Sequence, residues 1–361
     1  MKKLKIGIIG CGGIANAKHM PSLAKIKECE MVAFCDIIPE RAEKAKKDYG
    51  TIDAKVYTDY KQLLDDKSID VVHVLTPNID HSYITVDALN AGKHVMCEKP
   101  MAINSQEAQK MLDAAKKTGK KLTIGYQGRH RANSLFAKRA CEEGVLGDIY
   151  YARATALRRR GVPTWGVFIE EDKQGGGPLI DIGTHALDLT LWTMNNYSPK
   201  YCVGTTFHKL NKQTETGNAG GDWDVNKFTT EDSAFGFVVM ENGATINLEA
   251  SWAINLLDTR EAVTTLCGTK AGLDMNDGLR INGVMFGKKY ILKPDLDDGS
   301  IPLYEGLALS NKPEEREAQL WIHSIIEDTA PFVLPEQAFC VTRILEGIYT
   351  SAKTGKPFYF N

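Results

Sequence analysis

Two hydrophobic rhythms divide this chain. In the first third, short, nearly continuous apolar runs at 4–9, 31–35, 71–75, 94–97 and 121–126 alternate with longer stretches of helical spacing at 39–49, 60–64, 81–91 and 105–118. A brief apolar run bounded by turn residues suits a strand buried on both faces of a parallel sheet. With a further short strand near 55–57, the alternation predicts a doubly wound α/β domain over residues 1–126. Beyond Tyr126 the rhythm changes. A helix at 133–143 leads to strands at 149–157, 201–208, 232–240, 244–252, 261–268, 272–276 and 279–285, whose residues alternate between apolar and polar. Turn signals such as Glu241-Asn242-Gly243 and Asn282-Gly283 mark hairpins, so residues 127–361 read as an α+β domain with a mainly antiparallel open sheet. Two amphipathic helices, 313–328 and 335–354, close the chain. The long stretch 211–226 carries Trp223 among its glycines and reads as a pocket lid or subunit contact.

One stretch fits neither rhythm. Gly175-Gly176-Gly177-Pro178 can carry no regular element, and Pro178 has the fixed φ of a helix's first turn. From Leu179 the apolar residues Ile180, Ile182, Ala186, Leu187, Leu189, Leu191 and Trp192 crowd most of the helix circumference, which predicts burial. Asp181 and His185 nevertheless lie within it. Four positions apart, they share one face at a separation of roughly 6 Å. Such a pair is either a hydrogen-bonded structural element or a general base with its orienting partner.

The start of the chain carries a second motif. The strand 4–9 runs into Gly10-Cys11-Gly12-Gly13-Ile14-Ala15, which fits G-x-G-x-x-A. Gly10 allows the tight turn, Gly12 lets backbone approach a pyrophosphate, and Ala15 lets the helix pack against the strand, with Gly13 a further candidate cofactor contact. The following helix would offer its free N–H groups to phosphates. The next strand ends in Asp36, a little beyond the roughly 20-residue interval usual for a ribose-binding carboxylate. An acid there favours NAD over NADP, while Arg41 is the cation that could reach back toward a 2′-phosphate. Thr76, Asn78 and His81 follow a strand end and should border the cofactor, although His81 could equally cap its helix. Lys99, between a strand end and Pro100, is pinned.

Composition narrows the partners. The chain has 361 residues, a formal net charge of -2 and interspersed charges, as an ordinary soluble globular protein has, and nothing points to nucleic acid or a membrane. The eight cysteines are scattered without a Cys-x-x-Cys pair, so they read as reduced small hydrophobes in a cytoplasmic protein. No His-Glu-x-x-His or clustered Cys/His spacing appears, and no metal is expected.

Glu98-Lys99-Pro100, taken with GCGGIA and GGGPLIDIGTHALDL, resembles the glucose-fructose oxidoreductase / inositol dehydrogenase (Gfo/Idh/MocA) family. The resemblance covers essentially the whole chain, including Glu231-Asp232-Ser233, Glu249-Ala250-Ser251-Trp252 and Ile348-Tyr349-Thr350-Ser351-Ala352. It implies a Rossmann domain binding NAD, with Gly10, Gly12, Ile14, Asp36, Thr76, Asn78, His81, Glu98 and Lys99 at the dinucleotide. It also implies a catalytic set of Lys99, Asp181 and His185. Family members act mostly on sugars, cyclitols and their derivatives, and commonly pair through the C-terminal sheet, which implies a homo-oligomer.

The segment 158–166 is similar to those of bacterial members that oxidise C3 of glucosides, including members that begin the cleavage of C- and O-glycosides. There Trp165 could serve as an apolar platform for a sugar and Arg158 could bond its hydroxyls; the plainer reading is a basic turn with one packing Trp. Gln127 is a further candidate substrate contact, and with Arg129 and His130 it departs from the more usual family run. The expectation is therefore oxidation of a ring hydroxyl, best at C3 of a glucoside. The alternatives are a cyclitol dehydrogenase, a redox-neutral NAD-retaining glycosidase or lyase, and a non-catalytic NAD sensor.

Overall fold

The computed structural model describes residues 3–296 and 308–360, which form two compact units. Among the described residues the first comprises 3–130 with 308–339, and the second 131–296 with 340–360.

In the first unit six parallel strands, β1 (Leu4–Ile9), β2 (Cys29–Cys35), β3 (Lys55–Tyr57), β4 (Val71–Val74), β5 (His94–Cys97) and β6 (Leu122–Ile124), lie in the order β3-β2-β1-β4-β5-β6. This is the doubly wound order, in which the direction of winding reverses between β1 and β4. Ligands of such sheets bind beyond the carboxyl ends of the strands at that point. Helices Pro39–Tyr49, Tyr60–Asp65, His81–Asn90 and Ser105–Thr118 make the crossovers. Their starts are set locally: Asn104 accepts the Glu107 N–H at 2.8 Å, and Asp59 accepts that of Lys61 at 2.9 Å.

The sequence pattern assigns everything beyond Tyr126 to a second domain, but helix Pro313–Ile326 packs in the first unit. Ala318, Trp321 and Ile322 join Ile6, Ile8, Met20 and Met96 in one apolar core. The helix periodicity marks a buried face without saying against what.

The second unit is built on nine strands: β7 (Ile149–Leu157), β8 (Pro199–Phe207), β9 (Ser233–Met240), β10 (Thr245–Ser251), β11 (Val263–Gly268), β12 (Ala271–Asp274), β13 (Arg280–Met285), β14 (Lys288–Leu292) and β15 (Phe358–Tyr359). Their order is β14-β13-β12-β11-β7-β10-β9-β8-β15. Every pair is antiparallel except β7 with β10. The edge strands β14 and β15 escape the sequence pattern, because Ile291 and Leu292 of β14 are exposed and β15 is only two residues long. Ala152, Ala154 and Ala156 of β7 are fully buried, and their small side chains let helix Thr184–Met194 lie close over the strand. No helix among the described residues is long and apolar enough to cross a membrane.

Candidate active site

In the first unit the glycine-rich loop leaves β1 at the switch point. Gly10 has φ +91°, and a Cβ there would fall 2.6 Å from the Leu75 carbonyl oxygen, so the turn requires glycine. At Gly12 and Gly13 a Cβ would meet no described atom within 4 Å. The loop thus presents bare backbone and room, which is the fit a pyrophosphate needs. The helix that follows opens with a wide π turn, Ala15–His19, before Met20–Leu23.

Asp36 is buried at the end of β2, and its carboxylate already holds the loop. Oδ2 accepts the Cys11 N–H at 2.8 Å and Oδ1 that of Ile38 at 2.9 Å. Each oxygen keeps a further lone pair suited to a ribose hydroxyl. Ile14 and Arg41 are exposed beside these elements.

Beyond β4, His81 is a bridge. Its Nδ1 lies 2.7 Å from the Pro100 carbonyl oxygen and its Nε2 2.9 Å from that of Thr76. Burial depresses its pKa, against the pull of the two carbonyls, and a neutral ring donates to one of them at a time. The ring therefore ties the stretch containing Thr76 and Asn78 to the Glu98-Lys99-Pro100 loop.

Glu98 faces a buried ion cluster. Its Oε1 accepts from Lys18 Nζ and His19 Nε2, both at 2.8 Å, and its Oε2 accepts the Lys99 N–H at 3.0 Å. Burial would raise this carboxyl, but Lys18 and His19 outweigh it and hold it well below the usual range. Lys18 also bonds Glu317 at 2.8 Å. Lys99 itself is half-buried. Gln127 points its amide at Glu314, 3.4 Å away, and Arg129 is buried against Gln337 and Tyr126.

In the second unit the stretch predicted as one α-helix begins as a π turn, Leu179–Gly183, and continues as Thr184–Met194. Inserted π turns recur at functional sites. Gly183 permits the approach to β10, since a Cβ there would lie 3.0 Å from that of Ala250. Asp181 is buried and accepts the indole N–H of Trp252 at 3.0 Å. His185 is the partly exposed residue in an otherwise buried run from Leu179 to Thr193.

Arg158 lies close enough to Asp181 to feel its charge. Its guanidinium forks onto Glu261, with both bonds at 2.6 Å, and donates to the Gly161 carbonyl at 2.9 Å. Trp165 is 62% exposed, edge-on to Phe168.

The stretch 211–226 is anchored. Asn218 bonds both the N–H and the carbonyl of Val162, and Trp223 is buried with its indole N–H on the Asn211 carbonyl. Trp223, Phe228 and Trp252 form an aromatic series, with ring separations of 5.8 and 6.3 Å, that leads from this stretch to Asp181. No local pattern in the sequence marks a role for Trp252, Glu231 or Lys18. The first two stood inside the motifs that carried the family resemblance, but their partners are far along the chain.

This arrangement offers a carboxylate fixed by a buried donor, an accessible imidazole one turn on, and a separate dinucleotide-type loop. Comparison with known proteins agrees. Residues 4–126 match the oxidoreductase family model with an NAD-binding Rossmann fold, and residues 135–274 match the GFO/IDH/MocA C-terminal domain. The D-glucoside 3-dehydrogenase of Escherichia coli (strain K12) is 33% identical over 352 residues, covering 98% of this chain and 96% of that protein. The inositol 2-dehydrogenase of Salmonella typhimurium (strain LT2) is 32% identical over 194 residues, 53% of this chain and 55% of its own. A levoglucosan dehydrogenase solved with NADH and L-sorbose superposes with a TM-score of 0.84 at 21% identity, with full coverage of both chains. The chain belongs to the Gfo/Idh/MocA family of oxidoreductases, with that family's NAD-binding Rossmann fold in its first unit.

Proposed function

We propose that the protein oxidises a ring hydroxyl of a sugar or glycoside to the ketone, with C3 of a glucoside as the preferred position. The observation that carries this reading is the similarity to a D-glucoside 3-dehydrogenase along almost the entire chain, whereas the inositol dehydrogenase match spans about half.

NAD, when bound, supplies the hydride acceptor. Gly10, Gly12, Gly13 and the helix behind them would hold its pyrophosphate, and Asp36 its adenine ribose. Loss of hydride from an alcohol carbon also requires loss of the hydroxyl proton. His185 takes that proton and, being partly exposed, can pass it to water. Asp181, fixed by Trp252, orients the imidazole or binds a neighbouring hydroxyl. Lys99 favours alkoxide character on the reacting oxygen and polarises the ketone in reverse.

In this reading Arg158 is a support for the pocket wall, since Glu261 and Gly161 already engage its guanidinium. Trp165 keeps an open face for a sugar or an aglycone. The chain also associates with copies of itself through the second unit's sheet, where Val203 and Phe237 are 36% and 37% exposed.

The test is incubation with NAD and a panel of glucosides and inositols, following NADH. Reduction of NAD with glucosides, and a 3-keto product, supports the reading. NADH with inositols alone, or aglycone release without NADH, replaces it.

A further inference from the structure

The loop 175–178 that leads to Asp181 has its polar groups answered from distant parts of the second unit. Glu231 precedes β9 and is 4% exposed. Its Oε2 accepts the Gly177 N–H at 2.8 Å, and its Oε1 accepts the Leu179 N–H at 3.1 Å and the Tyr349 hydroxyl at 2.8 Å. Pro178 has no N–H to place. The N–H groups at 177 and 179, which the helix cannot satisfy by itself, therefore converge with the Tyr349 hydroxyl on one carboxylate.

The steric fit is equally close. A Cβ on Gly176 would lie 2.1 Å from the Tyr349 hydroxyl oxygen, and one on Gly177 would lie 2.3 Å from the Glu231 carbonyl oxygen. These glycines let the loop press against both groups.

A serine or asparagine beside the helix would cap it at lower cost than a buried carboxylate reached by neutral donors. What the distant carboxylate adds is a fixed reference point. The Asp181 N–H is bonded to the Gly177 carbonyl at 3.0 Å, so moving Gly177 moves the backbone that carries Asp181.

We propose that Glu231, together with Tyr349, is a positioning residue for the reaction, setting the start of the 179–185 segment and so the aim of Asp181 and His185. This rests on the reading of those two residues as catalytic.

The test compares the full-length parent with Glu231→Gln, Tyr349→Phe and the double variant. Glutamine keeps the volume and can still accept from Leu179 and Tyr349, but its amide nitrogen then faces the Gly177 N–H. In Glu231→Gln, kcat with the glycoside falls about tenfold while the KM for NAD stays within about twofold. Tyr349→Phe loses less, and the double variant is no worse than Glu231→Gln because the two groups act as one. Hydrogen exchange quickens in residues 175–189 and not in the first unit.

Parent-like kcat in Glu231→Gln overturns the proposal, whether or not exchange quickens. So does a loss of NAD affinity equal to the loss of kcat, which would mean general destabilisation. If Glu231→Gln does not fold, Tyr349→Phe, which deletes one hydroxyl, decides by the same measurements. If the parent reduces NAD with no sugar or cyclitol, the proposed function fails, and faster exchange confined to 175–189 still reports the clamp separately.

Discussion

The indole N–H of Trp252 donates to Asp181 Oδ2 at 3.0 Å, and both side chains are buried. A carboxylate fixed by a buried donor keeps one orientation, and the aromatic series through Phe228 and Trp223 ties that donor to the stretch 211–226. Trp252→Phe keeps most of the ring and removes the donor. Leaving the buried oxygen short of a partner costs about 1–3 kcal/mol. The expected result is a fall of about tenfold in kcat/KM for the glycoside, with NAD affinity retained, measured by steady-state kinetics and NAD titration. Unchanged kinetics would show that Asp181 needs no help from the indole.

Removing the proposed base should cost more than removing its support. His185→Ala and Asp181→Asn are expected to lower kcat by about 10²–10⁴-fold, the usual range for general acid–base catalysis. Both leave the first unit untouched, so NAD should still bind. A His185→Ala protein that folds, binds NAD and turns over normally contradicts the assignment.

Asp36 does two jobs at once. It holds the Cys11 and Ile38 N–H groups and, in the proposed complex, accepts the ribose hydroxyls. Charge-assisted bonds are worth about 1.5–3 kcal/mol, so Asp36→Ala should weaken NAD by about 30-fold. The same change removes the negative charge that opposes a 2′-phosphate, and the preference for NAD over NADP should shrink. Paired measurements of kcat/KM for the two cofactors read both effects; an unaltered ratio would place the discriminating group elsewhere.

The elements that were readable from the chain are those whose cause is local. Gly10 announces its turn because only glycine accepts its φ there, and β1 is apolar from Ile6 to Ile9 because that stretch is buried. The π turn at Leu179–Gly183 was not readable, since apolar spacing cannot separate it from an α-helix. Trp252 and Glu231 stand 71 and 54 positions from Asp181 and Gly177, and no local pattern announces a hydrogen bond over that span. Lys18 stands in no motif, and the two acids that enclose it come from β5's end and helix Pro313–Ile326, 80 and 299 positions along the chain.

That enclosure makes Lys18 a stability determinant. Its ammonium lies 2.8 Å from both Glu98 and Glu317, all three nearly inaccessible. Lys18→Met leaves two buried carboxylates without their cation and should cost about 3–5 kcal/mol. For a unit of this size that lowers the melting temperature by about 10 °C. Adding Glu98→Gln and Glu317→Gln should restore much of the loss, because the uncompensated charge is gone. Thermal unfolding of the single and triple variants tests this, and a single variant as stable as the parent refutes it.

Glu231 gives the folded protein a pH dependence of definite sign. Burial, opposed by the bonds from Gly177, Tyr349 and Leu179, raises its pKa from 4.5 to about 7. Below 4.5 both folded and unfolded chains carry the proton, and this group contributes no difference. Between the two values the folded chain holds a proton that the unfolded chain has released, so stability from this group falls as pH rises. Above about 7 the loss is complete, amounting to about 3 kcal/mol. Glu231→Gln has nothing to titrate. Its stability relative to the parent should therefore improve by about 2–3 kcal/mol between pH 5 and pH 8, read from urea unfolding at both. A difference that does not change with pH would mean that the carboxyl is already ionised at the lower pH, with its neutral donors outweighing burial.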